Sequence, residues 1–336
     1  MLLTKSAELK RYVRLNTSDV ELPEVVELEV SRLQEQLLRP LLGEGLIFWL
    51  EGEYQAGPAA DSLAGQLLAR VQAVLARLGL AGSLHELQVS VSNTGLQIVS
   101  TETHKTAFQH QVVALRDTLE RKGWLDMNAL LGWLEEHRAD SAELVAWAAG
   151  PGQLQRRQLL TSAEEFSRFE NIQDSWPVFQ ALRPLIGRQE LFVLEPQLGY
   201  AFLQELRTQV RTRALTPENE QLLEQFIRPA LASLALARAV PELGLRLTGN
   251  GIELAIARVD DSNSKEADAG LDQLLQARAY ECQRAADILL ERMRKHLNAA
   301  ASAERYPTYF AGPAYVSPST PKVPLNTAES RIYRFI

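Results

Sequence analysis

The chain has 336 residues, of which 46% are hydrophobic, 42 acidic and 35 basic, giving a net charge of −7. That length holds two domains of ordinary size plus a tail, and the hydrophobic share is enough for real cores. The acidic balance argues against a protein whose main task is to neutralise phosphates, because nonspecific nucleic-acid affinity comes from clustered Lys and Arg; passage of DNA along an acidic wall stays compatible.

In chain order, Thr17-Ser18-Asp19 supplies an N-cap for a helix whose inward face is Val26, Val30, Leu33 and Leu37, spaced four, three and four residues apart. Pro40 and Gly43 end it, a second helix runs through Leu46 to Leu50, and a third spans about Asp61 to Leu78 with Leu67, Val71 and Leu75 inward. Leu87, Val89 and Val91 alternate with polar residues, and Leu96, Ile98 and Val99 follow Asn93-Thr94-Gly95, a hairpin pattern. Helices then follow around Val112 to Leu119 and through Leu130 and Leu134, with a break expected at Gly123.

The same order returns about 156 residues later. Leu3-Thr4, Glu8-Leu9 and Arg11-Tyr12 are answered by Leu160-Thr161, Glu165-Phe166 and Arg168-Phe169. Leu38-Arg39-Pro40-Leu41-Leu42-Gly43 is answered by Leu194-Glu195-Pro196-Gln197-Leu198-Gly199, and Leu75-Ala76 by Leu231-Ala232. A second hairpin is expected at Leu243, Leu245 and Leu247, Gly249-Asn250-Gly251, and Ile252, Leu254 and Ile256. A long helix follows with Leu275, Cys282, Ala286, Leu289 and Met293 on one face. A period this long exceeds that of solenoids, so the reading is two tandem homologous domains. The expected architecture is mainly α: residues 1–150 and 151–300, each helical with a small antiparallel hairpin, and an extended arm over 301–336.

The arm carries Pro307, Pro313, Pro318, Pro321 and Pro324, which disfavour helix, and ends in Arg331-Ile332-Tyr333-Arg334-Phe335-Ile336. Aromatic side chains dominate interface energetics, so Tyr306, Tyr309, Phe310, Tyr315, Ile332, Tyr333, Phe335 and Ile336 are the expected protein-contact residues. The segment either folds back on its own domain, docks on a neighbouring subunit, or stays disordered.

Chemistry is sparse. No two of His85, His104, His110, His137 and His296 have one-turn helical spacing, so no metal is expected, and Gly249-Asn250-Gly251 lacks the following helix start of a dinucleotide or phosphate loop, so no cofactor is expected. His137 and His296 are read as cations at helix C-terminal ends. Cys282, the single cysteine, falls on an apolar stripe as a core residue; it rules out an intrachain disulfide and fits a reducing compartment. Asp260-Asp261-Ser262-Asn263-Ser264 lacks the glycine and distal glutamate of a calcium loop and reads as a helix-capping loop. Met1-Leu2-Leu3 runs straight into charged residues, unlike a signal peptide, and no apolar run approaches the roughly 20 residues that span a bilayer. The expectation is a non-enzymatic protein made in the cytoplasm, without a membrane partner.

Leu3-Thr4 with Glu8-Leu9, the Leu38-to-Gly43 helix end, Leu75-Ala76, and Gly95 followed by Lys105 and Ala107 resemble an uncharacterised family of Bacteroidetes bacteria and their prophages. That family is in turn similar to the helical head-completion adaptors of tailed phages. The resemblance, over about residues 1 to 300, implies a homo-oligomeric ring between portal and tail. Portal and other neck or tail proteins would be its partners, DNA would only pass through a channel, and the chain would be a component of the virion. Those adaptors have one helical unit, so two units here are a departure. A structural adaptor of a bacterial contractile injection apparatus would share these features. An enzyme with a site assembled between subunits is the remaining alternative.

Overall fold

A computed structural model describes residues 1–14, 19–87, 89–92, 95–98, 108–243, 245–248, 251–254 and 265–318. The fold is mainly α. Its first part comprises α1 (Ser6–Leu9), α2 (Glu24–Leu33), α3 (Arg39–Leu42), α4 (Glu44–Ala56) and α5 (Leu63–Ser83). Next come the antiparallel pair β1 (Val89–Ser92) and β2 (Gly95–Ile98), α6 (Gln109–Glu136), α7 (Ala142–Ala149) and α8 (Pro151–Gln155). The second part comprises α9 (Ala163–Ser167), α10 (Trp176–Gln189), α11 (Glu195–Leu198), α12 (Tyr200–Thr212), α13 (Pro217–Leu222) and α14 (Arg228–Leu243). It continues with the antiparallel pair β3 (Leu245–Thr248) and β4 (Gly251–Leu254), α15 (Lys265–Ala300) and α16 (Pro307–Phe310). Asn93-Thr94, Gly249-Asn250 and Asp260 to Ser264 lie outside the described residues.

Two hydrophobic cores result. One is built from Leu2 to Trp147 around α2, α5 and α6; the other runs from Leu159 to Tyr309 around α10, α14 and α15. Leu67, Val71 and Leu75 are buried as their spacing predicts. The α5 helix meets the length and hydropathy of a membrane span, against the expectation from sequence, but 72% of its most apolar window is buried inside the fold. Its apolar surface is thus taken up in packing against α2 and α6. Ser62 caps it by accepting from the Gly65 N–H at 3.0 Å.

Three departures from the sequence reading have identifiable causes. First, a π-helical turn over Gln34–Leu38 joins α2 to α3. The wider turn moves the inward position by one residue, so Leu38 is buried and Leu37 only half-buried. π turns recur at Glu190–Leu194 and Leu223–Ile227, and in all three a proline stands two positions after the last residue of the turn: Pro40, Pro196 and Pro229. A proline has no N–H for the carbonyl four residues back and its ring crowds that carbonyl; a wider turn relieves both. Second, α6 is one helix of 28 residues with no break at Gly123. A Cβ there would come within 2.5 Å of Leu78 Cδ2, so the glycine permits close approach of α5 and α6. Third, Pro23 occupies the N-cap position of α2, with Glu24 and Glu27 in its first turn, in place of the Thr17-Ser18-Asp19 cap; residues 17 and 18 lie outside the described residues.

Each core ties down a peripheral segment with buried polar side chains. In the first, Gln34 Oε1 accepts the Leu2 N–H at 2.8 Å and Gln34 Nε2 donates to Glu51 at 2.8 Å. Gln72 Nε2 donates to the Leu2 carbonyl at 2.8 Å. In the second, Glu190 Oε1 accepts the Leu159 N–H at 2.7 Å and Glu190 Oε2 accepts from Arg207 at 2.7 Å. Arg228 Nε donates to the Leu159 carbonyl at 3.1 Å. Positions 34, 51 and 72 differ from 190, 207 and 228 by 156 in every case, as do the starts of α6 at 109 and α15 at 265.

Candidate interaction surface

The C-terminal aromatics divide into three groups. Tyr306 and Tyr309 are buried in the second core, which removes them from the expected contact surface. Tyr309 stands 5.8 Å from the Phe202 ring and 6.2 Å from Tyr315, and its hydroxyl donates to Asn298 Oδ1 at 2.8 Å. Tyr306 lies edge-on to Phe202 at 6.0 Å and donates to the Glu218 carbonyl at 3.1 Å. Burial pushes both phenols above their ordinary range. Phe310 is exposed at its outer edge and packs 4.8 Å from the half-buried Tyr315. Ile332, Tyr333, Phe335 and Ile336 lie outside the described residues.

Residues 306–316 therefore fold back on their own core, and the expected extended arm is corrected over Pro307–Phe310, which is a helical turn. Proline at the first helical position loses nothing, because the N–H it lacks has no intrahelical partner there. Val316 N–H shares Asn298 Oδ1 at 3.1 Å, closing the segment onto the end of α15.

His137 does end α6, with Nδ1 3.0 Å from the Trp133 carbonyl and its ring stacked on Trp133 at 4.2 Å. His296 does not end its helix, since α15 continues to Ala300. It packs 5.3 Å from Phe226 and 6.2 Å from Tyr306, and burial, then the charge of Arg305, lowers its pKa. The expected cation is thus disfavoured at this site. His85 and His110 are exposed and His104 lies outside the described residues. Among the described residues no group of three or more His, Cys, Asp or Glu is placed to hold a metal ion. Cys282 is buried, its thiol pushed up to about 11 by burial and then by Glu170, which fits a core role. Glu170 is held by Ser233 at 2.7 Å and Arg278 at 2.7 Å.

The two cores meet at a junction that has no signature in the sequence. Trp124 of α6 stacks on Trp176 of α10, rings 5.3 Å apart and 9° from parallel. One turn on, Asn128 Nδ2 donates to the Asp174 carbonyl at 2.6 Å, and Glu135 receives two bonds of 2.6 Å from Arg213. Between them lies a cleft of about 220 Å³, walled by Leu131, Gly132, Thr161, Ser162 and Glu164. Desolvation lowers the Arg156 pKa at its edge and raises that of Glu164.

Elsewhere large apolar side chains face outward: Val20, Phe48, Phe192, Tyr200, Leu274, Tyr280 and Ile288. Single exposed apolar residues are ordinary; on the long helix α15, Tyr280 and Ile288 stand two turns apart on one side, with the exposed Arg284 between them.

The class so defined is a mainly α protein with two cores locked by an aromatic and ionic junction. The chain belongs to a family of unknown function, DUF6712, whose model matches residues 35–143 and 194–319. No curated protein and no solved structure matches it.

Proposed function

We propose that this chain is a non-enzymatic structural adaptor, built from two copies of one helical unit, that assembles with further copies of itself as a head–tail connector of a tailed phage or prophage. In this reading it is made in the cytoplasm and carried in the particle, with portal and neck proteins as partners. The observation that carries self-assembly is the set of large apolar side chains left outward by a chain that already has two closed cores, above all Tyr280 and Ile288 on α15. The duplication is supported by the shared offset of the polar anchors and by Gly43 and Gly199, both at φ +79 between a short and a longer helix. The two strand pairs are then one hairpin used twice, with Val89 opposite Ile98 and Leu245 opposite Leu254. A net charge of −7 suits a channel along which DNA slides without sticking.

The mass of the purified full chain, by light scattering across concentration, tests this reading. A discrete higher oligomer is the expected result, and a monomer at every concentration up to about 100 μM, which places any self-association weaker than about −5.5 kcal/mol, would refute it. Truncation after Pro318 keeps Tyr306 and Tyr309 and so asks separately what residues 319–336 contribute.

A further inference from the structure

We propose that copies join head to tail through the outer face of α15 on one and the Val20 corner of the first core on the next, repeating between chains the junction already present within each. This rests on the self-assembling reading above.

Inside the chain, α6 presents Trp124, Asn128, Gly132 and Glu135 along one face to the second core. The corresponding positions of α15, 156 residues on, are Tyr280, Arg284, Ile288 and Glu291. The opposite side of α15 is already committed, with Cys282, Ala286, Leu290 and Met293 buried against its own core. The four outer positions are all exposed, Tyr280 at 70% and Ile288 at 50%. Residues four apart on a helix stack above one another, so Tyr280, Arg284 and Ile288 form one continuous stripe. An aromatic therefore stands where Trp124 finds its partner, and a branched apolar residue stands where Gly132 walls the cleft.

The matching surface is equally recognisable. In the second core the docking corner is Thr161 to Glu164 together with Trp176. Its counterparts in the first core are Thr4 to Ala7, aligned by Glu8 accepting the Thr4 N–H as Glu165 accepts the Thr161 N–H, and Val20, which precedes the anchor Gln34 by 14 residues as Trp176 precedes the anchor Glu190. Val20 is 74% exposed, Lys5 and Ala7 are exposed, and the Ser6 N–H bonds the Val20 carbonyl at 2.9 Å, holding the corner together. Lys5 replaces Ser162, which lines the cleft with Glu135, and so comes opposite Glu291 in the repeated arrangement. Glu291 is paired with Lys295 of its own helix at 2.7 Å, so Lys5 brings a second cation to that carboxylate, and Val20 covers Tyr280 as Trp176 covers Trp124. Phe48, Phe192 and Tyr200 have no counterpart in the internal junction and belong to other surfaces.

Such an interface is heterologous: each copy carries one of each face, and a chain of copies closes into a ring or continues as a filament. That property gives a strict test with the full-length protein. One variant carries Tyr280→Glu and Ile288→Glu, and another carries Val20→Glu. All are exposed positions, and circular dichroism shows whether each variant keeps its fold. Each variant alone should lose the higher oligomer, with self-association weakened about thirtyfold or more. Mixed in equal amounts they should form a dimer and nothing larger, because each retains the face that the other has lost. Either variant assembling as well as the wild type, or a mixture that stays monomeric, overturns the inference while leaving self-assembly standing. A monomeric wild type overturns both.

Discussion

Replacing Tyr309 by alanine tests the fold-back of the C-terminal segment where it is most committed. The side chain is fully buried between Phe202 and Tyr315 and its hydroxyl donates to Asn298 at 2.8 Å. Truncating a buried aromatic to alanine costs about 3–5 kcal/mol, from lost transfer energy and the cavity left behind. Phenylalanine at the same place keeps the ring and leaves Asn298 Oδ1 with the Val316 N–H, so its cost is about 1 kcal/mol. With a urea dependence of about 2–3 kcal/mol per molar for a unit of this size, Tyr309→Ala should lower the unfolding midpoint of the second core by about 1–2.5 M. Urea titration followed by circular dichroism reads this directly. If the segment undocks instead of dragging the core with it, the loss is capped at the docking energy, and a chain ending at Ala301 then shows the same midpoint as Tyr309→Ala. An unchanged midpoint in both would refute the placement of Tyr309 in the core.

Further outcomes follow from the same packing. Gly123→Ala gains about 1 kcal/mol of helix propensity but drives a methyl into Leu78, at an overpacking cost of about 1–3 kcal/mol, so a thermal melt should show net loss. Glu190→Leu strands the Leu159 N–H and the Arg207 guanidinium and should cost about 3–5 kcal/mol in urea titration, whereas Glu190→Gln, the residue type found at position 34, should cost clearly less. His296 has its pKa lowered on folding, so the neutral form favours the fold: its contribution is complete above the unfolded value of about 6.5 and is lost as pH falls below it. Urea midpoints at pH 7.5 and 5.5 should therefore differ less in His296→Gln than in the wild type, and equal differences would exclude this site as the cause.

What is legible in the sequence is what periodicity encodes. Leu67, Val71 and Leu75 repeat at one helical turn and are buried, as are Val26, Val30 and Leu33. The reading slips where geometry changes without a change in pattern. A π turn transfers burial from Leu37 to Leu38, and the only local sign is the proline two positions after Leu38, which reads equally well as a helix end. Gly123 suggests a break because glycine is a poor helix former, yet the close approach of a neighbouring helix requires it for its lack of a side chain. The prolines over 301–336 argue against any helix, although Pro307 opens one. Periodicity gives no access to the polar anchors at all: Gln34, Gln72, Glu190 and Arg228 look like faults in apolar faces. Only comparison at an offset of 156 aligns them. The expectation that Tyr306 and Tyr309 are outward contacts fails for a related reason, because Glu218 and Phe202, which hold them inward, are distant in the chain.

The anchors also explain why the junction can act as a template. The connection between the cores is short, and it is fixed at both ends by side chains bonding to backbone. Upstream, Trp147 Nε1 donates to the Leu41 carbonyl at 3.0 Å, and the close approach of the Pro151 ring to Gly43 requires that residue to lack a side chain. Downstream, Arg156 Nε donates to the Val210 carbonyl at 3.0 Å, and Leu159 is held on both its N–H and its carbonyl. A linker held this way leaves little freedom for the two cores to turn against one another, so Trp124 and Trp176 meet in one geometry. In the contact proposed between chains no such linker exists, and the same geometry would have to come from the faces alone. Side chains that bring their own apolar area, Tyr280 and Ile288, where the internal junction makes do with Trp124 and Gly132, meet that requirement.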